Sequence, residues 1–233
     1  SEKIIYLPDT YQPNENNKKI SNSLVKKESF GLPEEKFIFC CFNSHQKINP
    51  IIFDAWLYIL KNTENSVLWL LKDNSFSQEN LKLQIKNNGI DPGRLIFAEN
   101  LKIENHLQRI KFADLFLDTF PYNAHTTCSD ALRAGIPVLT LKGKSFASRV
   151  AASLLNTINL NELITTNIED YKKLAIKIYN EKTYLDEIKK KIAVNKKNSN
   201  LFKAEVYTKN IESAYKKVHQ NYLNGIKPQN FEL

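Results

Sequence analysis

The run from Asp118 to Asp130, Asp-Thr-Phe-Pro-Tyr-Asn-Ala-His-Thr-Thr-Cys-Ser-Asp, gathers the residue types in this chain best suited to chemistry. A short apolar stretch, Leu115-Phe116-Leu117, ends in Asp118, and a Pro/Asn turn follows. His125, Thr126 and Thr127 then stand where a helix should begin. The first amides of a helix have no partner within it and carry partial positive charge, so a strand, loop and helix start in this order suits an anion. An imidazole and two hydroxyls at that point add donors for phosphate oxygens. The same residues also read as an ordinary cap, with a Thr127-x-x-Asp130 capping box. Capping uses one Thr and the Asp, and leaves His125 and the second Thr without a task.

The elements that must position this run follow from hydrophobic patterning. From Phe30 onward, strand-length apolar runs at 37–42, 67–71, 95–97, 115–117 and 138–141 alternate with helical segments at 51–61, 79–88, 103–112, 127–134 and 146–155. The strand runs are almost wholly apolar rather than alternating, which marks strands covered on both faces, as in a parallel sheet. The alternation predicts a doubly wound α/β fold with helices on both faces. Gly89 and Gly135 fall where helices should stop. Later segments at 170–179, 184–193 and 203–222 read as helices. In the last, Val206, Ile211, Ala214, Tyr215, Val218 and Tyr222 form one stripe, fit to dock on the sheet or on a neighbour.

In an open parallel sheet, ligands bind beyond the carboxyl ends of the strands. Three of the four histidines, His45, His106 and His125, fall in loops that follow strand runs, and all three loops emerge on one edge if the strands are parallel. Each candidate carries two readings. Lys47 is a mobile point charge for phosphate, or one of many surface lysines. His106 opens a helix and stacks on a base, or caps the turn. Arg109, one turn on, holds a planar acceptor or makes a helix salt bridge. Asp130 accepts from ribose hydroxyls or completes the capping box. Asp118 orients His125 or braces the loop. The sequence holds no Walker loop, GxGxxG, G-x-S-x-G elbow or metal-ligand cluster, so no metal is expected.

Bulk properties exclude several classes. With 42% apolar and 25% charged residues, the chain is globular in composition. No run of about 18 apolar residues is present and no signal peptide opens the sequence, so no membrane partner is expected. The net charge of +8 comes from lysines spread to both ends, with only Arg94, Arg109, Arg133 and Arg149 as arginines. Nucleic-acid surfaces favour clustered Arg and aromatics, so no nucleic-acid partner is expected. The four arginines crowd the middle of the chain, where cationic geometry should matter. Three cysteines, Cys40, Cys41 and Cys128, form no disulfide framework and point to a reduced, cytoplasmic setting. The sequence contains no methionine, even at position 1, so a piece of a longer protein is expected.

Six ordered blocks resemble one family. The run 120–138 (Phe-Pro-Tyr-Asn-Ala-His-Thr-Thr-x-x-Asp-Ala-Leu-x-Ala-Gly-x-Pro-Val) and 146–155 (Phe-Ala-Ser-Arg-Val-Ala-Ala-Ser-Leu-Leu) are similar to the O-linked N-acetylglucosamine transferase and SPINDLY family. Residues 7–12, 31–34, 42–50 and 66–71 match in the same order, so the resemblance covers about residues 5 to 222. It implies the C-terminal half of a GT-B glycosyltransferase. Residues 31–200 would form a Rossmann-like domain for the nucleotide sugar, residues 1–30 a linker or arm from a missing upstream half, and residues 201–233 a C-terminal helix and tail. It further implies that Lys47, His125, Thr126 and Thr127 hold a diphosphate, Asp130 the ribose and His106 the base, with Arg109 nearby. Animal members carry Gln where this chain has Ser44 and Lys where it has Ile103, so those contacts are not carried over. Tetratricopeptide repeats and an N-terminal catalytic half would precede residue 1 and supply the acceptor-protein site. The activity implied is transfer of N-acetylglucosamine from UDP to Ser or Thr with inversion, catalysed through Lys47. The alternatives are O-fucosyl transfer from GDP-fucose and an inactive nucleotide-binding module. No cofactor is expected, since the UDP-sugar is a substrate.

Overall fold

Residues 37–41 (Phe-Ile-Phe-Cys-Cys) and 66–71 (Ser-Val-Leu-Trp-Leu-Leu) bury nearly every side chain in succession, which a strand can do only with cover on both faces. The computed structural model describes residues 2–15 and 17–233; of the arm expected over 1–30, Ser1 and Asn16 lie outside the described residues. The chain opens with β1 (Ile5–Tyr6). The strands β2 (Phe37–Cys41), β3 (Ser66–Leu71), β4 (Leu95–Ala98), β5 (Leu115–Leu117), β6 (Val138–Leu141) and β7 (Ile164–Thr165) then form a parallel sheet in the order β4-β3-β2-β5-β6-β7. β1 pairs in parallel with β8 (Phe231–Glu232), Ile5 opposite Phe231, and brings the two ends of the chain together.

The chain starts at the sheet centre in β2, moves outward to β4, and returns to the other side of β2 as β5. The strand order therefore reverses between β2 and β5, and that switch point opens a crevice at their carboxyl ends. The helices are α1 (Pro50–Lys61), α2 (Ser75–Asn87), α3 (Ile103–Arg109), α4 (Thr126–Ala134), α5 (Val150–Thr157), α6 (Ile168–Asn180), α7 (Lys182–Asn198) and α8 (Ala204–Leu223). α1 begins on Asn49, whose side chain accepts from the Ile52 amide, with Pro50 at the first helical position. α4 ends on Gly135 at φ 90°, a left-handed stop that favours glycine. The core ties directly to the crevice: Trp56 Nε1 donates to Tyr171 Oη (3.1 Å), and that hydroxyl donates to the Asp118 carbonyl (3.0 Å) at the end of β5.

Several local expectations change. α2 starts at Ser75 rather than 79, because Asn74 caps it by accepting from the Ser77 amide. α5 starts at Val150 rather than 146. Ser145 and Ser148 spend their hydroxyls on local turn bonds, which compete with the helix. β7 is two residues long and left no periodic signal. Of the α8 stripe only Ala214 is buried, while Tyr215, Val218 and Tyr222 face outward. Arg94 is structural: its guanidinium donates to the carbonyls of Leu60, Thr63 and Ser66 and closes the α1–β3 turn.

Candidate functional site

The crevice is built from two loops and one helix start. After β2, Phe42, Asn43 and Ser44 lead into a short 3₁₀ turn, His45–Lys47. The Lys47 side chain crosses the switch point: Nζ donates to the Asn123 carbonyl (2.9 Å) and lies 3.8 Å from the centroid of the Tyr122 ring. Burial lowers its pKa, opposed by the negative charge of Asp118. His45 turns the other way. Its Nε2 donates to the Leu71 carbonyl (2.6 Å) and Nδ1 faces Ser77 Oγ (2.8 Å), so it anchors the turn and does not line the cavity that His125 lines.

Asp118 is the buried brace of the second loop. One carboxylate oxygen accepts from the amides of Thr119 (2.8 Å) and Ala124 (2.6 Å), the other from Thr140 Oγ1 (2.7 Å). Burial raises its pKa to about 6 against the pull of these bonds. Asp118 makes no hydrogen bond to His125, so of its two expected roles the brace is the one realised. Asn43 joins the loops, donating to Thr119 Oγ1 (2.7 Å) and accepting from Thr127 Oγ1.

The expected capping box is absent. The N-cap of α4 is His125, with no side-chain cap bond. The Thr127 hydroxyl goes to Asn43, and Asp130 pairs with Lys18 Nζ at 2.6 Å. These side chains have tertiary partners that a local motif cannot show. Helix geometry leaves the first α4 amides without intrahelical acceptors, beside Lys47. His125 Nδ1 lies 3.0 Å from Tyr11 Oη, Nε2 is buried, and the ring is set against the Ala147 backbone. Burial, then Lys47, lowers the His125 pKa.

Lys47, His125, Thr126 and Thr127 line one cavity of about 500 Å³, together with Tyr11, Gln12, Asn43, Ser44 and Tyr122. Asp130 lines an adjoining recess that shares Thr126 and Gln12. His106 and Arg109 sit further along the edge on α3. Arg109 is buried; it donates through Nε to His106 Nδ1 (3.2 Å) and through its terminal nitrogen to the Glu99 carbonyl. Its guanidinium also lies 5.3 Å from the Phe42 ring. Burial, Arg109 and then Lys18 bring the His106 pKa down to about 4, so its ring is neutral and uncharged beside Phe42.

Sequence reasoning gave no role to Tyr11, Gln12, Lys18, Asn43 or Tyr122. Tyr122 carried a signal, an aromatic inside the polar run that leads to His125. Asn43 followed an apolar strand run directly. Tyr11 and Lys18 lie on the arm, 114 and 112 residues from their partners, and no local signal exists for such pairs.

Fold and site together define the class: a doubly wound α/β domain with a polar, cationic crevice at its switch point. The description of Glycosyl transferase family 41 matches residues 9–211, and the chain belongs to that family. An Arabidopsis thaliana protein described as a probable UDP-N-acetylglucosamine–peptide N-acetylglucosaminyltransferase SEC is 34% identical, over 100% of this chain and 24% of that protein. A Caenorhabditis elegans UDP-N-acetylglucosamine–peptide N-acetylglucosaminyltransferase is 32% identical, over 87% of this chain and 18% of that protein. The solved structure of a Thermobaculum terrenum O-GlcNAc transferase mutant matches with a TM-score of 0.74 at 26% identity, covering 78% of this chain and 36% of that one. The chain thus spans about a quarter or less of the length of these curated relatives. The solved neighbours include GT-B glycosyltransferases, and this chain has the Rossmann-like fold of one of their halves.

Proposed function

We propose that this chain is the donor-binding half of a protein O-glycosyltransferase that moves N-acetylglucosamine from UDP to a Ser or Thr hydroxyl. The observation that carries this reading is the reach of Lys47 Nζ across the switch point to the Asn123 carbonyl (2.9 Å), beside the start of α4. As the glycosidic bond breaks, UDP gains negative charge. Lys47, the hydroxyls of Thr126 and Thr127 and the first amides of α4 meet that charge. Preorganised donors of this kind are worth about 3–4 kcal/mol each in favourable cases. Asp130 takes the ribose hydroxyls through the carboxylate oxygen that Lys18 leaves open, and His106 packs on the base. The names of the two relatives above support UDP-N-acetylglucosamine as the donor.

The acceptor protein and the remaining catalytic groups come from segments beyond this quarter of the enzyme, including the family's upstream half. The charge on the leaving group is met by protein groups, so turnover needs no divalent metal and survives EDTA. The three cysteines are buried and free, which supports a reducing compartment such as the cytoplasm. Calorimetric titration of the chain with UDP and GDP tests the base: UDP should bind more tightly, and a preference for GDP would transfer the assignment to GDP-fucose.

A further inference from the structure

The arm crosses from α4 to α3. Gln12 Nε2 donates to Ser129 Oγ (3.3 Å) and Arg133 donates to the Glu15 carbonyl, which fastens its first stretch to α4. Further on, the Ser21 amide donates to the Glu104 carbonyl (3.1 Å) and Gln108 Nε2 donates to the Ser23 carbonyl, which fastens the next stretch to α3. Lys18 lies between these anchorages. Its Nζ donates to Asp130 Oδ1 at 2.6 Å, with the lysine side chain 25% exposed and the carboxylate 11%. Burial, Arg109 and then Lys18 lower the His106 pKa, so the ammonium also acts on the α3 histidine. Lys18 thus bears on both side chains assigned above to ribose and base.

The chemistry of the Lys18–Asp130 pair is selective. An ammonium offers three donors and no acceptor, and a carboxylate offers acceptors only. Their mutual bond spends one donor and one oxygen. Among the described residues no donor reaches Asp130 Oδ2, and Lys18 Nζ makes no second hydrogen bond. A hydroxyl is both donor and acceptor, so it donates to Oδ2 and accepts from Nζ at once. Two vicinal hydroxyls, as on a ribose, fit such a pair better than any group with a single role. The recess that Lys18 and Asp130 line, about 180 Å³, shares Thr126 with the cavity of Lys47 and Thr127. Arg133 lines the recess too, but its guanidinium is laid on the Phe202 ring at 4.4 Å. Asp130 follows Thr126 and Thr127 by one turn of α4, about 5 Å along its axis, which suits a sugar joined to a diphosphate held at the helix start.

We propose that Lys18 and Asp130 act as one unit that reads the ribose diol of the donor, with Lys18 a specificity-determining residue supplied by the arm. This rests on the donor-binding reading above and adds to it a discrimination between ribonucleotides and their deoxy analogues.

The test compares UDP with 2′,3′-dideoxy-UDP, which keeps the base and the diphosphate and lacks both hydroxyls. Titration calorimetry is run in about 0.5 M salt, where the long-range pull of Lys18 on phosphate is screened. The parent chain should bind UDP about 30-fold more tightly than the analogue, and Lys18→Met should lose about tenfold for UDP and less than about twofold for the analogue. A Lys18→Met chain that binds UDP as tightly as the parent, or more tightly, overturns the proposal, because Lys18 is then idle or competes with the ribose. Equal losses for UDP and the analogue overturn it as well, the mark of an arm that is merely structural. A parent that binds UDP and the analogue alike overturns this inference alone. A parent that binds neither takes the donor-site reading with it.

Discussion

Replacing Lys47 by Ala removes one half-buried cation from the mouth of the crevice. Three interactions go with it. The Asn123 carbonyl loses a donor at 2.9 Å, the Tyr122 ring loses its cation at 3.8 Å, and the diphosphate of the proposed donor loses a positive side chain. The first two are local and weak, because solvent reaches the crevice and the ring is half exposed. The third decides the outcome: a hydrogen bond to a charged group in a partly desolvated site is worth about 1.5–3 kcal/mol. We expect UDP affinity to fall roughly 30- to 100-fold, taking about 2–3 kcal/mol at 1.4 kcal/mol per decade. On the proposed reading Lys47 meets the phosphates, so uridine affinity should stay unchanged. In the full-length enzyme kcat should drop at least tenfold, because the interaction strengthens as the leaving group gains charge. Titration calorimetry with UDP and uridine, followed by turnover, measures all three. Normal turnover of the Ala variant would refute the role of Lys47, and equal losses for UDP and uridine would show that the substitution had only disturbed the loop.

Asp118 should write a pH dependence into stability. Its carboxyl stays protonated up to about 6 in the fold, against 3.8 ordinarily, so between those values the native state holds more protons than the unfolded chain. Stability then falls as pH rises from about 4 to 6 and levels off above, by about 3 kcal/mol in all. Asp118→Asn should flatten this slope in denaturant titrations at pH 4 and pH 7; an unchanged slope would assign it elsewhere. Thr127→Val keeps the shape of the side chain but strips Asn43 Oδ1 of its donor in a buried position. It should cost about 1–2 kcal/mol in thermal or urea melts and weaken UDP binding as well; unchanged binding would remove Thr127 from the site. The 233-residue chain alone should transfer no sugar to peptide, and measurable transfer would overturn the division of labour proposed here.

The sheet was legible because its central strands are buried on both faces, which forces runs of apolar residues that no helix or loop of that length resembles. β7 escaped because two residues, Ile164 and Thr165, cannot express a period. The edge rule expected Lys47 and the His125–Thr127 run on one side of the sheet, and they do line one cavity, because parallel strands deliver every following loop to one side. His45 does lie in the loop after β2, but a loop's position does not fix the direction of a side chain, and His45 bonds backward to Leu71. The Thr127 and Asp130 box matched a local template whose members each found a stronger distant partner, Asn43 and Lys18. The arm read as polar linker because its chemistry lies in contacts across more than a hundred residues.

These contacts share one consequence. Three of the groups that line the cavity are each held by a second group: Lys47 by the Asn123 carbonyl, Thr127 by Asn43 and His125 by Tyr11. Two of the three restraints lead back to Asp118, which holds the loop amides and Asn43, and whose carbonyl is tied through Tyr171 to Trp56 in the core. The ordering cost of the donors is therefore met when the domain folds, before any anion arrives, which is the condition under which such groups stabilise developing charge most. The arm is the exception. Tyr11 belongs to the segment before β2 and is fastened by α8 and Phe146, not by the Asp118 network. Of the three, His125 is thus the one group whose place depends on how the two ends of the chain are held.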